Sequence, residues 1–311
     1  MNKILKNSSK LLLWPASLAS LLFQSFRTRW RIGLLHQRES AITFCAEPSA
    51  VATPRLRVLA VVTHVVSPED VKSASKEKLH RLITTLEAAL VSFAHCELKI
   101  IINTVPQRHL TAFLPDHLRR RIEVVEQPNC DPMYIEFLVP DLFLNLRGDH
   151  DWFLFLEDDI VLRDSWALEK LAFFNGAAGD PSLLLTPHRF EMLHGEKVYF
   201  DLRWSKDFKE FAWNRFATFG TGGVKFGECA NSHAACFCLN REQLDLWERS
   251  GRHWKNRVVI TGPLESAATG CLFEAFTIYK PHADNLRFLE VEHCDTKYSR
   301  MLAAGSVEQS V

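Results

Sequence analysis

Three runs of this chain are apolar at consecutive positions rather than alternate ones. They are "RLRVLAVVTHV" from Arg55, "ELKIIINTV" over 97–105 and "DWFLFLEDDIVL" over 151–162. A strand with one wet face alternates; a strand apolar on both sides has to be covered on both. Between the first two runs lies "SKEKLHRLITTLEAALVSFA", with Leu79, Leu82, Ile83, Leu86, Leu90 and Phe93 at helical spacing and Ser75 as its cap. "RIEVVEQ" over 121–127 reads as a further strand, and "MYIEFLVPDLFLNLRGD" as a helix bent or interrupted around Pro140. Strand, helix, strand, strand, helix, strand predicts an α/β domain with a mixed, mainly parallel sheet flanked by helices.

The 311 residues are enough for a large core. The boundaries read from the sequence are an N-terminal extension and linker over 1–54, one domain over 55–300 and a tail over 301–311. The 37 basic and 37 acidic residues balance, so no global field favours nucleic acid as a partner. Eight cysteines without a regular framework, several inside apolar runs such as "ACFCL", read as reduced, buried thiols of a cytoplasmic protein.

The N-terminal extension differs from the rest: seven Lys or Arg and no acid precede Glu39, around "LLLWPASLASLLF" at 11–23. That run is short of the roughly 20 apolar residues a span needs, and no cleavage site marks it as a signal. An interfacial segment fits best, with residues 1–35 in peripheral contact with anionic lipid; a loosely packed extension is the plain alternative.

The second half is less regular. "PSLLLTPHRF" at 181–190 and "AACFCLN" read as strands, and "GEKVYFDLRW" as an edge element. "REQLDLWERSG" reads as a helix closed by Gly251, and "PLESAATGCLFEAF" as one opened by Pro263. The aromatic stretch 208–228, with Trp204 before it and Phe211 and Trp213 within, suits a substrate loop. Cys229, His233, Cys236 and Cys238 have the wrong spacing for a standard zinc knuckle, which favours core thiols.

The chemistry concentrates at Glu157, Asp158 and Asp159, where an apolar strand ends in three acids. Like charges at a strand end need a cation or backbone donors. An all-oxygen set suits Mg²⁺ or Mn²⁺, which keep positions open for phosphates. A helix N-terminus explains Asp164 as a cap but explains the triplet poorly. Thr63 and His64, ending the first strand, either meet a nucleotide or only terminate the strand. Arg108 reads as a surface charge.

A strand ending in an acidic triplet about 100 residues into such a domain resembles the GT-A glycosyltransferases, with their Rossmann-like sheet; some features are similar to the exostosin-like branch. The resemblance covers roughly residues 56–296, with Glu157-Asp158-Asp159 in the place of the "DXD" signature. It implies a metal-dependent transfer of sugar from a nucleotide-diphosphate sugar, a UDP-sugar first, to a glycan or lipid-linked hydroxyl. By the same resemblance Asp159 and His293, in "LEVEHCD", would hold the divalent cation, while Glu157 and Asp158 would meet the donor. Glu265 would be the base, although Ser266 stands where the family has a second acid. The small residues over 228–237 would lie along the donor sugar. A nucleotidyltransferase is the enzymatic rival, but "THVVSPEDVKS" is not its glycine-rich basic loop. A non-catalytic membrane-associated scaffold with a degenerate transferase fold is the other rival.

Overall fold

The computed structural model describes residues 55–201, 218–221, 223–228, 233–250, 259 and 262–301. Strand β1 (Arg57–Thr63) leads through a short helix α1 (Pro68–Ser73) into the long helix α2 (Lys76–Ser92) and strand β2 (Glu97–Thr104). A one-turn helix α3 (Asp116–Arg119) precedes strand β3 (Ile122–Glu126). A 3₁₀ segment over Pro132–Leu138 then feeds helix α4 (Val139–Asn145), and strand β4 (Trp152–Glu157) follows. Pro140 therefore sits in the first turn of α4, where its missing N–H costs nothing, and the break falls just before it. Helix α1 was not anticipated. Its signal is a capping box in which Ser67 Oγ accepts from the Asp70 N–H while Asp70 accepts from the Ser67 N–H. Ser75 stands at the N-cap of α2 but makes no side-chain cap bond.

The first sheet has the order β11-β4-β1-β2-β3, where β11 is Cys236–Asn240. Three of its four pairings are parallel; β11 runs antiparallel to β4. Alternate residues feed two separate cores. Val58, Ala60, Val62, Leu154 and Leu156 pack with Leu82 and Leu86 of α2, while Leu59, Val61, Phe153 and Phe155 pack with Phe143 and Trp247 on the other face. This is the two-sided burial that the unbroken apolar runs require. Cys236 and Cys238 of β11 are buried core thiols.

The remaining strands build two smaller mixed sheets, which the sequence reading did not separate. A turn after β4 leads to β5 (Ile160–Val161), helix α5 (Ala167–Ala178), β6 (Leu183–Leu185), β7 (His188–Leu193) and β8 (Glu196–Tyr199). The single strand expected over 181–190 is thus two strands, divided at Thr186-Pro187. The Thr186 N–H donates to Tyr279 and the His188 N–H to Leu289, so the chain changes sheet at a residue with no N–H to contribute. The turn His194-Gly195 has positive φ at both residues, as a tight two-residue hairpin needs, and leaves β8 at an edge. Strands β9 (Thr218–Thr221) and β10 (Val224–Glu228) precede β11. Helix α6 (Arg241–Ser250), the six-residue helix α7 (Pro263–Ala268), β12 (Thr277–Pro281) and β13 (Glu290–His293) complete the chain order. The orders are β6-β12-β10-β9 and β5-β13-β7-β8. Helix α7 is shorter than expected, giving way to a 3₁₀ segment over Gly270–Glu274. No helix among the described residues is long and apolar enough to cross a membrane. Residues 1–35, and Gly251, lie outside the described residues.

Candidate active site

From β1 the chain steps outward to β2 and β3, then returns to the opposite side of β1 for β4. The strand order reverses between β1 and β4, and a crevice opens beyond the carboxyl ends of two such strands. Thr63 and Glu157 are paired neighbours there, and His64 and Asp158 come next on each strand. Thr63, His64, Glu157 and Asp158 therefore meet at one place, from strands whose ends are 94 residues apart.

His64 is fully buried and its ring is fixed at both nitrogens. The Leu110 N–H donates to Nε2 at 3.0 Å, which puts the ring proton on Nδ1. Nδ1 then donates to Asp158 Oδ2 at 2.5 Å. The turn backbone is held as well: Thr85 Oγ1 of α2 donates to the Asp158 carbonyl at 3.0 Å, and Ser92 Oγ to Leu162 at 2.8 Å. Arg108 donates to the Val66 carbonyl at 2.6 Å, tying the ends of β1 and β2 together rather than standing free at the surface. Asp158 is thus one oriented carboxylate, partly open to solvent.

Asp159 turns the other way. Its Oδ2 lies 3.5 Å from His293 Nε2, and its backbone carbonyl accepts from the Cys294 N–H at 2.8 Å. His293 Nδ1 meets the buried Glu191 at 2.8 Å, and Glu191 also accepts from the Tyr298 and Ser299 N–H groups. Phe200 and Tyr298, stacked at 4.9 Å, pack against the His293 ring. Burial alone favours a neutral His293, but carboxylates on both nitrogens push it up to about 9. Burial would raise Asp159, yet His293 and Arg81 hold it below the ordinary carboxylate range. Glu157 goes the opposite way, pushed up to about 8 by burial and by the charge of Asp159.

Three oxygens at this strand end have no hydrogen-bond partner among the described residues: Thr63 Oγ1, Glu157 Oε1 and Asp159 Oδ1. Buried acceptors are nearly always paired, so three orphans together mark a place shaped for something else. Among the described residues no group of three or more His, Cys, Asp or Glu side chains converges as a metal cage. Asp159 and His293 do form a two-ligand edge beside an orphaned oxygen. That fits a hard cation held by few protein groups and completed by phosphate oxygens and water.

Behind the acids lies a charged cluster that the sequence reading missed. Arg189 Nε and Nη2 donate to Asp201 Oδ1 at 3.1 and 2.7 Å, and Lys280 Nζ donates to Asp201 Oδ2 at 2.7 Å, with all three residues buried. Lys280 also donates to the His233 carbonyl at 3.0 Å. The His233 ring bonds Thr269 Oγ1 at 2.9 Å through Nδ1, and its Nε2 is 4.0 Å from Glu157 Oε1. Burial, then the charge of Arg189, keeps His233 neutral. Arg189 and Glu191 alternate along β7 and share a face, a faint signal in "HRFEML" that one side of this strand meets charge.

Glu265 lies in the first turn of α7, and Thr269 just past that helix reaches the site through His233; the Glu265 side chain lies outside the described residues. Trp204, Phe211, Trp213 and Cys229 also lie outside them, as do parts of the small-residue segment 228–237.

No protein-family model and no curated protein matches the sequence. Solved structures similar to the chain include mannose-1-phosphate geranyltransferase from Thermus thermophilus, at 14% identity over 72% of this chain and 73% of that one, with a TM-score of 0.39. The galactosyltransferase LgtC, in complex with donor and acceptor sugar analogs, is similar at 11% identity over 72% and 73%, with a TM-score of 0.38. A197 from STIV is similar at 14% identity over 72% and 81%, with a TM-score of 0.35. Likeness at this level carries no weight for function.

Proposed function

We propose that this chain is a metal-dependent glycosyltransferase that moves a sugar from a nucleotide-diphosphate sugar to an acceptor hydroxyl. The observation that carries the reading is the set of oxygens of Thr63, Glu157 and Asp159 at the strand-order reversal that lack a hydrogen-bond partner among the described residues, beside a histidine braced by a buried carboxylate. Asp159 and His293 are the residues that would hold Mn²⁺ or Mg²⁺. When bound, such a cation neutralises charge on the departing diphosphate. His293 has to release its proton to act as a ligand, and Glu191 keeps the ring aimed while it does so.

Asp158, locked by His64, is the oriented acceptor for a ribose or sugar hydroxyl. Glu157 stands at the same strand end with its raised carboxyl. Glu265 is the candidate base for the acceptor hydroxyl, placed at the start of the helix whose far end braces His233. A UDP-sugar donor and a glycan or lipid-linked acceptor remain part of the reading, as does peripheral membrane contact through residues 1–35.

Calorimetry with UDP, with and without Mn²⁺, on the wild type and Asp159→Ala tests it. The expected result is binding that needs both the metal and Asp159. Absence of binding across the common nucleoside diphosphates would replace the enzyme with the non-catalytic scaffold.

A further inference from the structure

Helix α2 presents more than apolar residues to the sheet. Glu77, Arg81 and Thr85 recur at every fourth position, so they lie on one stripe. Thr85 bonds the Asp158 carbonyl, which places that stripe against the acidic turn. One turn earlier, Arg81 is largely buried, with 14% of its side chain accessible. Its Nη1 is 3.9 Å from Asp159 Oδ2, its Nη2 is 3.5 Å from Asp295 Oδ2, and Nη2 also pairs with Glu77.

Two features of this arrangement stand out. Three carboxylates share one guanidinium, which leaves the group with a negative surplus. The approach to Asp159 is also too long for a hydrogen bond, unlike the short forked contact of a structural Arg–carboxylate pair such as Arg189–Asp201. Arg81 supplies Asp159 with charge but leaves its Oδ1 without a partner.

We propose that Arg81 is the resident counter-ion of the cation site, standing beside Asp159 when no divalent ion is bound and opposing that ion's entry. The inference rests on the reading of Asp159 and His293 as cation ligands. Two cations near one carboxylate repel each other strongly in a half-buried setting. The site therefore binds the metal ion weakly by itself. A diphosphate offers both cations a second anion, so donor and metal ion enter together.

The test is a Mn²⁺ titration of the full chain without nucleotide, followed by the loss of the free-ion electron paramagnetic resonance signal. Arg81→Met is expected to bind Mn²⁺ about tenfold more tightly than wild type, by relief of that repulsion. Arg81→Lys, which keeps the charge, is expected to match wild type. An affinity in Arg81→Met equal to or below wild type overturns the proposal. So does an equal gain in Arg81→Lys, because shape rather than charge would then be responsible. Asp159→Asn separates this inference from the reading beneath it. Loss of Mn²⁺ binding in Asp159→Asn keeps the cation site whatever Arg81 does, whereas binding indifferent to Asp159 sinks both. Thermal unfolding of each variant confirms that the comparison is between folded proteins.

Discussion

Two sets of carboxylates flank His233, Asp201 through Lys280 on one side and Glu157, with Asp159 beyond it, on the other, and they are treated in opposite ways. Asp201 is fully satisfied. Arg189 Nε and Nη2 serve one oxygen, while Lys280 and the Arg189 backbone N–H serve the other. Glu157 and Asp159 each keep an oxygen that has no hydrogen-bond partner among the described residues. A buried carboxylate that uses every lone pair holds the fold together; one that leaves a lone pair idle is held ready for a ligand. The carboxylate group is the same in the two sets, but Asp201 is fully buried whereas about a fifth of the Glu157 and Asp159 side chains is accessible, so the second set differs both in satisfaction and in being reachable from solvent.

The contrast can be broken most forcefully at Asp201. Its carboxyl is held well below the ordinary range; burial opposes this, and the Arg189 and Lys280 charges overcome it. Removing it in Asp201→Ala leaves two buried cations uncompensated, which costs about 3–5 kcal/mol. Urea unfolding should show that loss. A cost below about 1 kcal/mol would mean the cluster is not the structural member of the pair.

The same cluster sets an acid limit through His188, whose Nε2 donates to the Pro281 carbonyl at 2.6 Å. Burial, then the Lys280 charge, pushes this imidazole down to about 4. Between the unfolded value near 6.5 and about 4 the unfolded chain binds a proton that the folded one refuses. Stability is therefore intact above pH 6.5 and falls by about 3 kcal/mol on the way to pH 4. In His188→Gln this part of the slope should vanish, leaving the shallower slope of the carboxylates. An unchanged slope would place the acid limit elsewhere.

The two sets also differ in how visible they are from sequence. The acidic triplet was legible because it interrupts an apolar strand, and a strand end is where a parallel sheet exposes its ligands. Thr63 and His64 followed by the same rule, and His293 by resemblance to a family. Asp201, Arg189 and Lys280 were not legible. Arg189 and Asp201 are 12 residues apart and Lys280 is a further 79 along, and local pattern does not fix the pairing of the strands that carry Arg189 and Lys280. Arg81 was hidden for a related reason: on an amphipathic helix a charge reads as solvated, and only the docking of α2 shows which face it occupies. Glu191 looks like the polar half of a strand until β13 brings His293 beside it. Period and strand ends describe what must be buried; they do not say which buried charges will find each other.

The finest test of the contrast is Glu157. If its carboxyl is kept for a ligand, the metal-free protein loses stability by keeping it. Its folded value, near 8, lies above the unfolded one, so the folded state retains a proton that the unfolded state gives up as pH rises past about 4.5. The penalty grows from about pH 4.5 and levels off near 8. Glu157→Gln removes the charge at nearly constant shape. With a chelator present, it should gain about 1 kcal/mol over wild type at pH 8 and almost nothing at pH 5, a figure reduced because a fifth of the side chain is still accessible. Thermal unfolding of both proteins at the two pH values measures it. A gain confined to high pH would mark Glu157 as a carboxylate retained against stability, as sites of function are. A loss at both would put it with Asp201, among the charges that hold the fold.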